Sequence, residues 1–360
     1  MAQEIERQKA AKQDFVADTR KLYFGTCHAN ANGYIRTGND PDGLGETRLE
    51  LRGDSDNPAQ SFPITQTARR QIGAKVGIPA KYFDRMETEA PGLLADNVNH
   101  WLENEPKTQL VRVLDGRVRA FLSDKYQRID HWDIASVAIP ALQASGAEIV
   151  SCEITERRMY IKAINHSVRG EAAKDDYVEA GVMVSNSETG EGGADVSPFA
   201  NRLWCTNGCV INDLKYQRRH VGAKNATTDA AYALLSQEAL EADDRAVVLK
   251  MRDIITGSLS ASGFDPVLMK MRAAADPETR AADPIKAIET LAQAHTFTES
   301  EQSGVLNHLI EGGDLSQWGI VNAITRQAAD ADNYDRATEL ETVGGTVLNL
   351  ERSQWDRIAA

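Results

Sequence analysis

The residues best placed to do chemistry in this sequence are cations. Lys215, Arg218, Arg219 and Lys224, with Tyr216 and His220 among them, hold four formal positive charges within ten residues, and no acid interrupts them. Such a run either stays solvated or grips phosphates as point charges and bidentate forks. A second concentration spans Gln109 to Ser123, where Leu110–Leu114 and Arg117–Leu122 flank Asp115-Gly116. Asp-Gly between alternating runs predicts a hairpin, because both central residues of a type I′ turn need positive φ. A two-residue turn sets Val113 opposite Val118, Val111 opposite Ala120 and Arg112 opposite Arg119, with Arg117 and Phe121 on the arginine side. Facing arginines repel by some tenths of a kcal/mol, roughly. Neighbouring carboxylates, solvent or an anion must therefore offset them. Phe121 would add a stacking surface, which is worth about 1–3 kcal/mol per base where bases dock. Lys125, Tyr126, Arg128, Arg157, Arg158, Lys162 and Arg202 bring enough further groups to line a groove, provided the fold gathers them.

Other chemistries have weaker signals. Cys205 and Cys209 have three residues between them rather than two, and with His220 they do not complete four ligands, so buried free thiols are expected and no metal. Gly190-Glu-Gly-Gly193 shares only its glycines with a phosphate loop, and Glu188, Glu191 and Asp195 would repel phosphate. Neither a Gly-x-Ser-x-Gly elbow nor a His-Glu-x-x-His pair occurs, and His131, His166 and His220 are scattered. An enzyme acting on nucleotides would need Asn186, Glu188 and Asn207 to converge on a cation. No cofactor is predicted.

The elements that must position these residues read as follows. Residues 25–60 are rich in turn formers. Thr65 can cap a helix carrying Ala68, Ile72 and Val76 that stops at Gly77 and Pro79, and Pro79 can open a second through Met86. That second helix is short and half apolar, which suits packing better than reading a duplex. Strands are expected at Ala147–Ile154, Met159–Ile164 and Tyr177–Ser185, and a helix at His131–Ala144 with Pro140 as a kink or early end. From Ala226 the pattern is helical, with a capping box at Thr298-x-x-Glu301 and breaks at Gly312-Gly313 and Gly344-Gly345. These elements predict an α+β fold in which a hairpin-rich antiparallel sheet with packed helices is followed by a helical C-terminal domain. The expected domains are a turn-rich segment at 1–63, an α+β core at 64–225 and an acidic helical domain at 226–360.

The chain has 360 residues, 42% of them apolar, which excludes collagen, rods and wholesale disorder. Forty Lys and Arg stand against 53 Asp and Glu, and the net −13 divides into −3 for residues 1–220 and −10 for 221–360. A general polycation is excluded; a basic face in the first part is not. Four cysteines, a start without an apolar stretch and no run of about 20 apolar residues predict a reduced, cytoplasmic protein with no membrane partner.

Arg117-Val-Arg-Ala-Phe-Leu-Ser-Asp-Lys-Tyr126, Val182-Met-Val-Ser-Asn-Ser-Glu188, Ser197-Pro-Phe199, Arg202-Leu-Trp-Cys-Thr-Asn-Gly208 and Asn333-Tyr-Asp-Arg-Ala-Thr-Glu-Leu-Glu341 with Gly344-Gly345 together resemble the phage/plasmid-like protein family known as domain of unknown function 932. The resemblance covers about Ile64 to Leu350. It implies a mobile-element protein working in a bacterial host cytoplasm, in a setting of DNA replication, single-strand annealing or the countering of host defence. It transfers no catalytic residue. By fold-level analogy alone, a basic, aromatic hairpin sheet is similar to the Rad52-like annealing proteins. The expected function is a phage single-stranded-DNA-binding or annealing accessory protein, a homo-oligomer. Arg112, Arg117, Arg119, Lys125, Arg128, Arg157, Arg158, Lys162, Arg202, Lys215, Arg218, Arg219 and Lys224 would hold phosphates, and Phe121, Tyr126 and Tyr216 would stack on bases. The alternative is an acidic interaction module that inhibits or decoys a host factor.

Overall fold

A computed structural model describes residues 2–30, 33–36, 47–53, 58–203, 208–211, 216–218 and 237–360. They form an α+β fold with strands in the N-terminal half and helices at the C-terminus. Two compact units divide them. The first holds the described residues up to Trp132 together with Ser187–Gly192; the second holds those of Asp133–Asn186, Gly193–Arg219 and Leu234–Ala360. The boundary expected near residue 225 lies outside the described residues.

The first unit begins with α1 (Ala2–Ala11) and β1 (Lys12–Asp18), continues through β2 (Leu22–Asn30), β3 (Gly33–Arg36), β4 (Thr47–Leu51) and β5 (Gln60–Pro63), then α2 (Gln66–Lys75), α3 (Ala80–Glu89) and α4 (Pro91–Asn104), and ends in the hairpin β6 (Thr108–Leu114) and β7 (Arg117–Ser123). Its strands form two antiparallel sheets, β1-β6-β7 and β3-β2-β4-β5. Local chemistry sets the helix ends as expected: Thr65 accepts a hydrogen bond from the Ala68 N–H, and Gly77 takes φ +73 after the last turn of α2. Leu22, Phe24 and Leu49 share one core with Ile72, Phe83, Val98, Val111 and Val118, so the turn-rich N-terminal segment belongs to the same body as the hairpin.

The second unit contains α5 (His131–Ala144, from Asp133), β8 (Glu148–Ile154), β9 (Met159–Ala173), β10 (Asp176–Asn186), β11 (Ala194–Arg202), β12 (Gly208–Val210) and β13 (Tyr216–Arg218). The sheet order is β12-β11-β10-β9-β8, with β13 also on β11. Seven helices follow: α6 (Gln237–Ser258), α7 (Ala261–Ala274), α8 (Pro284–Ala294), α9 (Glu299–Gly312), α10 (Gln317–Gln327), α11 (Tyr334–Leu348) and α12 (Arg352–Ala359). Val178, Ala180 and Ala200 of the sheet are buried with Leu268, Met271, Leu291 and Ile324 of these helices. The C-terminal helices are thus a layer over the sheet, because their apolar faces are completed by strand residues. Helix α5 has the expected bounds and does not end early at Pro140, which lies inside it, whereas Gly344-Gly345, expected as a break, lies inside α11. The glycine pair lets that helix approach closely: a Cβ on Gly345 would stand 1.7 Å from the Val210 carbonyl oxygen, and one on Gly344 2.3 Å from Thr325 Cγ2.

Candidate functional site

The hairpin turn forms as predicted, with Asp115 at φ 51 and Gly116 at φ 71, and Val113 faces Val118. The register then shifts. Arg112 pairs with Ala120 and Val111 with Phe121, which makes Arg119 the extra residue of a β-bulge. The bulge separates the two arginines and turns Phe121 onto the core side, where it is buried with Val111 and Val118.

Neighbouring carboxylates take up the expected basic face. Strand β1 lays Asp14 directly beside Arg112. Arg112, 0% exposed, donates from Nε to Asp14 (3.0 Å), from Nη2 to Asp130 (2.7 Å) and from Nη1 to the Glu188 carbonyl (3.1 Å). Arg119 Nη1 donates to Glu188 Oε2 at 2.9 Å. Glu188 Oε1 also accepts from Lys12 Nζ (2.7 Å) and from the His131 N–H (2.6 Å), and Lys12 reaches Asp130 at 3.0 Å. Three cations and three carboxylates thus cancel. Burial alone would raise the Glu188 carboxyl, but the Arg119 and Lys12 charges outweigh it and hold the group below its ordinary value. Burial holds His131 down to about 4, so its ring is neutral at pH 7.

The remaining expected residues lie as follows. Arg117, Lys125 and Arg128 are exposed, Arg128 3.7 Å from Asp14, and the half-buried Tyr126 donates to the Ser187 carbonyl. In the second unit Arg158 pairs with Asp195 (2.7 Å), Arg202 with Asp176 (2.7 Å), Lys162 with Glu341 (2.5 Å), and the more exposed Arg157 with Glu339 (3.8 Å). Tyr216 is half-buried in β13. Lys215, Arg219 and Lys224 lie outside the described residues, as does the side chain of Arg218. So do Cys205, Asn207 and His220; Cys209 is buried, which raises its thiol. Among the described residues no three His, Cys, Asp or Glu are grouped to hold a metal ion, and no helix is long and apolar enough to cross a membrane.

What the second unit does assemble is a groove of about 630 Å³ between the sheet and α10–α11. Its floor is built by strand alternation. Lys162, Ile164 and His166 succeed one another on one face of β9, while Phe199 and Asn201 come from β11 and Ser151 from β8. Phe199 lies flat because the neighbouring positions are glycine: a Cβ on Gly181 would stand 2.8 Å from its ring and one on Gly208 1.8 Å. From the helix side, Asn333 caps α11 and presents Tyr334 and Glu341 toward the floor, while Ala328, Ala329, Ala331 and Ala337 leave room.

At the centre is the buried Lys162–Glu341 pair, with side chains 8% and 10% exposed. The Lys162 ammonium also sits 4.9 Å from the Tyr334 ring centre and 5.6 Å from that of Phe199. Burial raises the Glu341 carboxyl, and Lys162 offsets this only in part. Tyr334 and Ser151 share a hydroxyl hydrogen bond of 2.7 Å, and Tyr160 donates to Asp335 at 2.7 Å. At one end His166 lies 3.1 Å from Glu179 and 3.3 Å from Glu148, which raises its pKa, and Asn201 donates to Glu179. Residue chemistry did not single out Glu341, Tyr334, Phe199 or Asn201. The one sequence signal touching Phe199, Tyr334 and Glu341 was the resemblance, since Ser197-Pro-Phe199 and Asn333–Glu341 meet at this groove; Asn201 had none. No family model matches the chain, and neither a curated protein nor a solved structure does.

Proposed function

We propose that this protein is a ligand-binding protein whose second unit takes a small molecule with an anionic or hydrogen-bond-accepting head and an apolar body. The observation that supports this is an ion pair buried under an open groove. Replacing such a pair with apolar residues of similar volume is often neutral or stabilising by about 1–4 kcal/mol, so stability alone is a poor reason to keep one. The groove has the size usual for small-molecule sites, and its lining mixes aromatic and aliphatic side chains with polar ones that can fix a ligand's orientation. Lys162 spends one N–H on Glu341 and has further protons for a ligand oxygen, while Phe199 and Tyr334 enclose the rest. DNA binding through the hairpin arginines is not the reading this geometry favours: Arg112 and Arg119 are buried and neutralised, and Phe121 is in the core.

The experiment is a thermal-shift screen of carboxylates, amino acids, nucleosides and short acidic peptides, followed by calorimetry on the full chain and on Lys162→Met/Glu341→Leu. A ligand at 100 times its Kd should stabilise by about 2.7 kcal/mol. The double variant should stay folded and lose that response. An equal response in the variant, or none to any class, would refute the assignment.

A further inference from the structure

A different cavity, in the first unit, carries an inference independent of the groove. We infer that the pocket of about 280 Å³ where the end of α2, the end of α4 and the start of β6 meet takes one nucleotide of a single strand, its phosphate between Lys75 and Lys107 and its base on Trp101.

Each group is delivered by a fixed element. Lys75 is the last residue of α2 and half-buried, and Trp101 opens the last turn of α4. Lys107 is pinned just before β6 by two hydrogen bonds with Thr19, its N–H to Thr19 Oγ1 at 3.1 Å and the Thr19 N–H to its carbonyl at 3.0 Å. Among the described residues neither ammonium has a carboxylate within ion-pairing distance, in contrast to Lys12, Arg112, Arg119 and Lys162. Burial, and then the nearby Lys107 charge, hold Lys75 below its ordinary value against the opposing pull of Asp124 and Glu105, neither of which pairs with it directly, so two positive groups converge where a bound anion would relieve them. Glu105 also lines the pocket, leaving it net positive by one.

Trp101 is 40% exposed, and its ring is oriented before any ligand arrives: Nε1 donates to Asn97 Oδ1 at 3.1 Å and His100 packs edge-on at 5.1 Å. A fixed, half-open indole beside two unpaired ammonium groups is the pairing of stacking platform and phosphate contact by which single strands are held without sequence reading.

The test is tryptophan emission of the full chain titrated at low salt with an oligothymidylate, thymidine 5′-monophosphate, thymidine and inorganic phosphate. The oligonucleotide should quench. Trp101→Phe should remove the quench and weaken binding about tenfold, and Lys75→Gln/Lys107→Gln should weaken it and flatten the slope of log K on log salt by about 0.7. Thermal melting of each variant separates loss of binding from loss of fold, and all three residues are exposed enough to be replaced. Absence of quenching at low salt, or binding unchanged by both variants, would overturn the inference. So would competition by inorganic phosphate equal to that by the nucleotide, which would mark a bare anion site.

Discussion

Glu188→Gln tests whether the hairpin arginines are structural. The glutamate is 1% exposed and serves Lys12, Arg119 and the His131 N–H, while glutamine keeps the volume and removes the charge. Arg119 would then have an amide where it had its buried carboxylate; Lys12 would retain Asp130 at 3.0 Å. Removing one partner of a buried pair costs about 3–5 kcal/mol, and the surviving Lys12 contact places this change near 3. At about 2–4 °C per kcal/mol for a body of this size, the melting transition of the first unit should fall by roughly 6–12 °C at pH 7 in scanning calorimetry. The pH dependence has a definite sign. The folded carboxyl lies below its ordinary value, so its contribution is complete above the ordinary carboxylate range of about 4.3 and is lost as pH falls through the folded value. The gap between the two proteins should therefore be full at neutral pH and close in acid. A variant that melts with the parent at pH 7, or a gap that persists undiminished in acid, would refute the reasoning.

Three further outcomes follow from the same structure. His131 stays neutral when folded until about pH 4, whereas the unfolded ring takes its proton near 6.5, so acid should remove up to about 3 kcal/mol between those values; His131→Phe should flatten that loss in urea titrations at pH 7 and pH 5. Gly345→Ala should cost about 1–3 kcal/mol despite the better helix former, since its Cβ meets the Val210 backbone rather than a movable side chain; chemical denaturation measures it. In a double-mutant cycle, Lys162→Met and Glu341→Leu should each cost about 3–5 kcal/mol alone and little or nothing together, and additive losses would contradict a coupled buried pair.

What could be read from the chain alone was local. Asp115-Gly116 specifies its own turn, Thr65 and Thr298 their own helix starts, and Gly77 and Gly313 their own stops, because each satisfies a backbone need within four residues. The α+β class followed from the same kind of signal. Strand β9 was expected to end at Ile164 and runs to Ala173, since its later residues alternate weakly and are held by pairing with β10. Helix α4 has a sequence signal of the same local kind, Pro91 followed by Leu94, Val98 and Leu102.

The charged residues went the other way. A one-residue bulge at Arg119 exchanged the faces of β7, and no feature of the hairpin sequence announced it. The partners that neutralise the cations stand 98 residues away for Arg112 and Asp14, 69 for Arg119 and Glu188, and 179 for Lys162 and Glu341. Composition and motif established which groups this protein owns and where its turns and caps fall. Whether a given cation faces water, a ligand or a carboxylate was settled only when distant strands and helices packed, because burial makes an uncompensated charge too costly to leave alone.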